Sequence, residues 1–392
     1  MMKLQERQLP GRFALFYLGF RPFFLAGAAV ALVLIPLWLA VYKGMLHPHY
    51  YPNGMLWHSH EMLFGFTLAI IAGFLLTAVR NWTSHNTLQG LPLALLCLLW
   101  LLGRTLPWFA NLPAIWLAIV DLSFLPLLIL SLAYPILCAR NYRNLAFLVI
   151  LSTFWVANLL IHFDLLGITT DTRDTGIMMA LFLVVIIMTL MGGRVIPFFT
   201  ERGIPGVLCT RHLWLEKSLL PLSILWLPVS LSSLTTIAVI LSLSLALLNT
   251  LRWISWFDRR ILHHPLLWIL HLGYAFIGLG YGLYGLSLMG VVSSSSAVHA
   301  FAVGGIGCLT IGMMARVSLG HTGRMLEVKP MLTGAFSLIA AGAILRICLP
   351  LAPGLYTEGL TMAAIMWTLG WMLFLIRYIP ILIQPRIDGL FG

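Results

Sequence analysis

HEMLFGFTLAIIAGFLLTAV, residues 60–79, decides the architecture of this chain. From Met62 to Val79 no residue carries a charge, and Arg80 closes the run. A stretch of this length crosses the hydrocarbon core of a bilayer, roughly 30 Å thick, at about 1.5 Å of helix per residue. In lipid it must be helical, because no water is present to satisfy the backbone amides. Eleven further runs follow the same pattern, at 23–42, 91–109, 113–137, 145–166, 176–198, 213–232, 236–253, 266–289, 298–315, 331–350 and 359–379. The composition agrees: 60% of the 392 residues are hydrophobic and 9% charged, against roughly 25% charged in soluble domains. The expected fold class is an all-α polytopic membrane protein of about twelve transmembrane helices. It forms a single membrane domain over 1–392, with a lead-in at 1–22, a tail at 380–392 and no soluble catalytic domain. Lys3, Arg7 and Arg12 precede no small-residue cleavage site, so the lead-in reads as cytoplasmic chain and not as a cleaved signal.

The net charge of +11 would suggest a nucleic acid partner in a soluble protein. Here the cations sort by side. Counted over alternate connections, 19 Lys and Arg fall with the N-terminus and only four (Lys43, Arg104, Arg173, Arg346) fall on the other side. One missed span would scramble that alternation. The positive-inside rule therefore predicts twelve spans with both termini cytoplasmic, a bilayer as the main partner and no nucleic acid. The five cysteines are scattered without a CxxC, which argues against a disulfide framework or a thiolate cluster. Any metal site rests on the twelve histidines.

Sidedness then organises the polar residues. His47, His49, His58, His60, Glu61, His162, Asp164, His299 and Arg346 fall toward the outer face. Arg80, His85, Arg194, Glu201, His263, His264, His271, Arg316, His321 and Arg324 fall toward the inner face. Trp57-His58-Ser59-His60-Glu61-Met62 is the densest group. Imidazole is the commonest protein ligand of heme iron and copper, and Glu61 is placed to orient one ring. His58 and His60 lie roughly 200° apart on a regular helix, so they point to different faces. His58, Met62, Gly65, Ala69 and Ala72 share one face. Its small residues either admit a flat macrocycle or let another helix pack closely. The same two readings apply to His299 and the glycines of Gly304-Gly305-Ile306-Gly307. His47-Pro48-His49, in a loop, can aim both rings at one metal, with His162 at the same depth as an alternative ligand. Intramembrane Asp121 and Arg104 are either functional groups or a buried pair. On the inner side, Arg316 and Arg324 suit heme propionates or act as positive-inside anchors.

With these residues in view, the chain resembles the NnrS family of bacterial membrane proteins. The resemblance is carried by WHSHEMLFGFTLAIIAGFLLTAVRNWT (57–83), GGRVIPFFTERG (192–203) and HAFAVGGIGCLTIGMMARVSLGHTGR (299–324), with GFRPFFLAGA (19–28) in support. Arg80 departs from the proline expected before Asn-Trp-Thr. The resemblance implies a bacterial inner-membrane protein of the nitric oxide response that carries heme, of the b type, and copper. The resemblance points to His58, His60, Glu61, His299, Arg316, His321 and Arg324 without assigning a metal to any of them. From the residues themselves, His58, His60, His299, Arg316 and Arg324 are taken as heme-binding candidates, His47, His49, His60 and His162 as copper candidates, and Glu61 and His321 as groups that orient the ligands. There is a looser likeness to the main subunit of heme–copper oxidases, which also has twelve helices and histidines on the second and tenth. Spans 6 and 7 here contain no histidine, so that group's copper triad is absent.

Three functions compete. The first is protection against nitric oxide by binding or reducing it at an outer-side heme, with electrons from an unidentified donor if it is an oxidoreductase. The second is secondary transport of a small solute, against which stands the absence of a visible repeat. The third is insertion of heme or copper into another protein.

Overall fold

The computed structural model describes residues 13–109 and 111–392, so the lead-in cations Lys3, Arg7 and Arg12 lie outside the described residues. The described chain is helical, without a β-strand, and its twelve main helices follow the expected order. They are α1 (Phe20–Tyr42), α2 (Gly54–Thr83), α3 (Gly90–Trp108), α4 (Ala114–Cys138), α5 (Tyr142–Leu165), α6 (Arg173–Gly203), α7 (Leu213–Ser230), α8 (Thr235–Trp256), α9 (Pro265–Leu288), α10 (Ser294–His321), α11 (Pro330–Leu351) and α12 (Pro353–Ile383). Eleven are long and apolar enough to cross a membrane. The exception is α7, with 18 residues and Glu216 and Lys217 close to its start. The protein is thus an all-α multi-pass membrane protein.

Several helices outrun their apolar cores. α2, α6 and α10 have 30, 31 and 28 residues. At about 1.5 Å per residue each exceeds the roughly 30 Å hydrocarbon layer, leaving polar ends at or beyond the interface. Two of them also share a local irregularity. α2 widens into a π-helical segment at Glu61–Thr67, and α10 does so at Ala300–Gly307. The first follows directly on His60, the second on His299. A π-helical turn shifts the phase of the side chains around the axis and is enriched at functional sites.

The chain groups into two compact units. Unit 1 comprises the described residues up to Ala180, with Arg316–Leu326 and Phe374–Gly392; unit 2 comprises Leu181–Ala315 and Glu327–Leu373. In unit 1 the small residues of α2 meet α1. A Cβ on Gly73 would lie 2.9 Å from that of Phe23, and one on Gly27 would lie 3.5 Å from that of Ala69. The Phe20 amide donates to Thr77 Oγ1 at 3.0 Å, fixing the register of the pair. In unit 2 the glycine run of α10 is filled in the same way, with Gly304 against Phe276 of α9 and Gly307 against Trp367 of α12. Of the two readings of these small residues, the structure takes helix packing at Ala69, Gly304 and Gly307.

The Gly192-Gly193 pair serves unit 2 similarly. It makes room beside α6 for the Arg252 guanidinium and the Tyr274 ring. Arg252 is ion-paired with Glu216 and donates to Thr189 O at 2.9 Å and to Tyr274 Oη at 3.0 Å. The arginine and both glycines therefore form one structural joint. All five cysteines are free, as their spacing implies.

Candidate metal centre

The centre of unit 1 is built from four helices and one loop. The α1–α2 loop is seated by Pro107 at the end of α3, whose carbonyl accepts from the His49 amide at 3.0 Å and the Tyr50 amide at 3.3 Å. Asn53 then caps α2, its Oδ1 accepting from the Leu56 amide at 2.8 Å. Beneath the loop, Tyr51, Leu56 and Trp57 are buried against Leu34 and Trp38 of α1. This packing drives Tyr50 and Tyr51 inward, toward two histidines.

His58 and His60 diverge as the helical phase requires. His58 stacks on Trp38, with ring centroids 4.6 Å apart and planes at 22°. His60 turns into the interior and is fully buried. Its Nδ1 lies 2.8 Å from Tyr51 Oη and 3.1 Å from Glu61 Oε1, while its Nε2 lies 3.0 Å from Asn158 Oδ1 and 3.4 Å from Asp121 Oδ2. His162 of α5 mirrors it. Its Nδ1 is 2.7 Å from Tyr50 Oη and its Nε2 is 2.9 Å from the same Asp121 Oδ2. Each imidazole thus offers one nitrogen to a tyrosine and aims the other at a single carboxylate oxygen of α4. Asn158, one turn before His162, donates to that oxygen at 2.7 Å.

Arg104 of α3 supplies the counter-charge, pairing with Asp121 and standing 3.3 Å from Glu61 Oε2 through Nε. Two glycines admit this arrangement. A Cβ on Gly65 would lie 3.1 Å from Arg104 Cδ and from Glu61 Oε2, and one on Gly103 would lie 2.8 Å from Asp121 Oδ1. Gly65 therefore makes room for a guanidinium, not for a macrocycle. In the loop, burial pushes the Tyr50 and Tyr51 phenols above their usual range, with Glu61 adding to the effect at Tyr51. Both phenols stay protonated and keep a hydroxyl available to each histidine.

His60, Asp121 and His162 each present a ligand atom within 4.8 Å of the others, and no other such His, Cys, Asp or Glu group occurs among the described residues. Two imidazoles and a carboxylate form a donor set that suits copper or another first-row metal. The charges fit as well. Glu61, Asp121 and Arg104 are all buried, and with neutral imidazoles they sum to minus one. A net charge inside lipid is costly, so the centre favours holding one positive charge, as a metal ion or a proton.

The chain is thus a helical multi-pass membrane protein with a buried histidine–carboxylate group whose ligand atoms are close enough to hold one metal ion. A family model described as NnrS protein matches residues 14–386, and the chain belongs to the NnrS family. That membership supports a membrane protein of the nitric oxide response. No curated protein matches the chain closely enough to add to this.

The structure separates the other candidate residues. His47 and His49 are exposed and do not join the centre. His299, half-buried in unit 2, is oriented by its own helix, Nδ1 standing 2.7 Å from Ser295 O. Asp164 is occupied at the start of α6, accepting from the Thr172 amide at 2.9 Å. Arg316 is buried, and His321 lies against Phe20, ring centroids 5.6 Å apart, in unit 1. Arg324 Nη1 is 3.5 Å from Thr322 O. On unit 2, His263 and His264 are exposed, whereas His271 is buried with Nε2 2.9 Å from Thr200 Oγ1, so those three do not converge. Arg104 and Asp121 prove to be both a buried pair and part of the centre. Sequence reasoning passed over Tyr50, Tyr51 and Asn158. The signal for Asn158 was present: with His162 it forms an i, i+4 polar pair on a largely apolar helix.

Proposed function

We propose that this protein protects bacterial cells against nitric oxide from within the inner membrane, binding or reducing the gas at a b-type heme that works with copper. The observation that carries this reading is the convergence of His60, His162 and Asp121 on one buried point. Copper is held there by His60 and His162, with Asp121 in place of the exposed loop histidines His47 and His49. Bound copper supplies a site for a diatomic ligand and for one-electron exchange. The protein's own residues prepare it. Tyr50 and Tyr51 engage the two Nδ1 atoms and orient the rings, so that both Nε2 atoms face Asp121. Arg104 pairs with Asp121 beside them. With His60 committed to copper, the remaining heme-ligand candidates are His58 in unit 1 and His299 in unit 2. Nitric oxide partitions into lipid, so a buried site needs no polar channel, and reduction draws electrons from a separate donor.

The test is purification in detergent, followed by a visible spectrum and metal analysis. The expected result is a Soret band that shifts under nitric oxide, together with copper. His60→Ala, His162→Ala and Asp121→Asn should lose copper, whereas a His47→Ala, His49→Ala double variant should keep it. Wild-type protein with neither heme nor copper would overturn the reading in favour of a solute transporter. Copper lost only in the loop variant would move the site to His47 and His49.

A further inference from the structure

We propose that Arg324 and Arg377, at the inner end of unit 1, bind the phosphate of an anionic phospholipid headgroup. The site involves neither heme nor copper.

Arg21, Arg324, Arg377 and Arg386 lie together at this end, on α1, after α10, near the end of α12 and in the segment beyond it. Two of them are spent on helix ends. Arg21 is fully buried, and its Nη1 donates to the Leu382 carbonyl at 2.8 Å and the Gln384 carbonyl at 2.7 Å, while Nη2 donates to Gly392 O. A cation at these carbonyls meets the negative end of the α12 dipole. Arg386 serves α10 in the same way. Its Nη1 donates to the His321 carbonyl at 3.1 Å, and its Nη2 is ion-paired with Asp388 at 2.5 Å. The Ile387 amide donates to the Thr322 carbonyl at 3.3 Å, so the segment after α12 is fastened across the end of α10.

Arg324 and Arg377 have no comparable task. Arg324 makes one long contact, Nη1 to Thr322 O at 3.5 Å, and neither arginine is paired with a carboxylate among the described residues. Arg377 lies close enough to Arg324 to add to the positive potential there, and Arg324 and Arg386 do the same at Arg21. Asp388, already taken by Arg386, is the one acidic side chain at this end among the described residues of unit 1. Like charges gathered at the edge of a low-dielectric layer repel strongly, so the arrangement favours an anion supplied from outside.

The surroundings say what else that anion carries. Met325, next to Arg324, and Ile387, next to Arg386, are exposed, and so are Ile376 and Ile379 on either side of Arg377. Cations bordered by exposed apolar side chains match a phosphate continued by acyl chains better than a soluble anion. A guanidinium meets phosphate oxygens with two parallel hydrogen bonds. Basic pockets between membrane helices hold anionic headgroups by this chemistry.

The test uses full-length protein purified in detergent and stripped of lipid. It is titrated with phosphatidylglycerol, phosphatidylcholine or inorganic phosphate and followed by native mass spectrometry and thermal unfolding. Wild type should bind phosphatidylglycerol in preference to phosphatidylcholine and be stabilised by it, with little response to inorganic phosphate. Arg324→Gln and Arg377→Gln should each weaken phosphatidylglycerol binding about fivefold, the scale of one cation lost beside an anionic headgroup, and the double variant roughly twentyfold. Arg143→Gln, which removes an exposed cation of the same side, should bind as wild type does. If the double variant does not accumulate, the two single variants decide. Unaltered affinity in Arg324→Gln and Arg377→Gln, or an equal loss in Arg143→Gln, would overturn the proposal. So would inorganic phosphate stabilising the protein as well as the lipid does, since the site would then take a free anion. None of these readouts depends on heme or copper content, so the outcome is separate from that of the nitric oxide reading.

Discussion

Arg104 governs the buried charge of unit 1. It lies between Asp121 and Glu61, and all three are excluded from solvent. Removing one partner of a buried pair costs far more than the pair contributes, since the remaining charge has nowhere to go. Arg104→Met leaves two carboxylates in an apolar interior, and we expect it to destabilise the folded protein by about 3–5 kcal/mol. Adding Glu61→Gln returns the net charge to its wild-type value of minus one, so the double variant should recover part of the loss. Thermal unfolding followed by size-exclusion chromatography in detergent measures both. If Arg104→Met unfolds at the wild-type temperature, the guanidinium is not compensating this charge.

At the scale of the element, the π-helical segments do the positioning. Without the extra turn at Glu61–Thr67, the part of α2 before it would rotate by roughly 100° per residue removed relative to the part that packs on α1. His60 and Glu61 lie on one side of that joint, Ala69 and Gly73 on the other. Deleting Leu63 should convert the segment to regular helix and turn His60 away from Asp121. The deletion variant is therefore expected to insert normally, because its apolar length barely changes, yet to bind little copper. Metal analysis of the monodisperse fraction checks this, and full copper occupancy would show that the widened turn does not aim the ligand. The same argument gives α10 a joint between His299 and the glycines that pack on Phe276 and Trp367.

For the whole molecule, the distribution of cations makes a prediction about orientation. With 19 Lys and Arg on one set of connections and four on the other, reporter fusions after Gly392 and near Arg194 should be cytoplasmic. Fusions near His47 or Ser294 should be active on the outer side. An outer-side C-terminus would reverse the sidedness of the copper and heme sites together.

Twelve helices, their order and the membrane setting were legible in the sequence, because lipid leaves an apolar run only one way to satisfy its backbone. The divergence of His58 and His60 was legible too, being a matter of helical phase. What the sequence could not decide was which polar groups meet. Asp121, His162 and Arg104 lie on three different helices, and their convergence on His60 depends on how α2 to α5 pack and on the glycines that let them approach. The small residues beside the histidines had the same composition under either reading. Packing assigned them to neighbouring side chains at Ala69, Gly304 and Gly307, and at Gly65 to the Arg104 guanidinium. Periodicity along one chain fixes the direction of each side chain, but only close packing between helices determines what it faces.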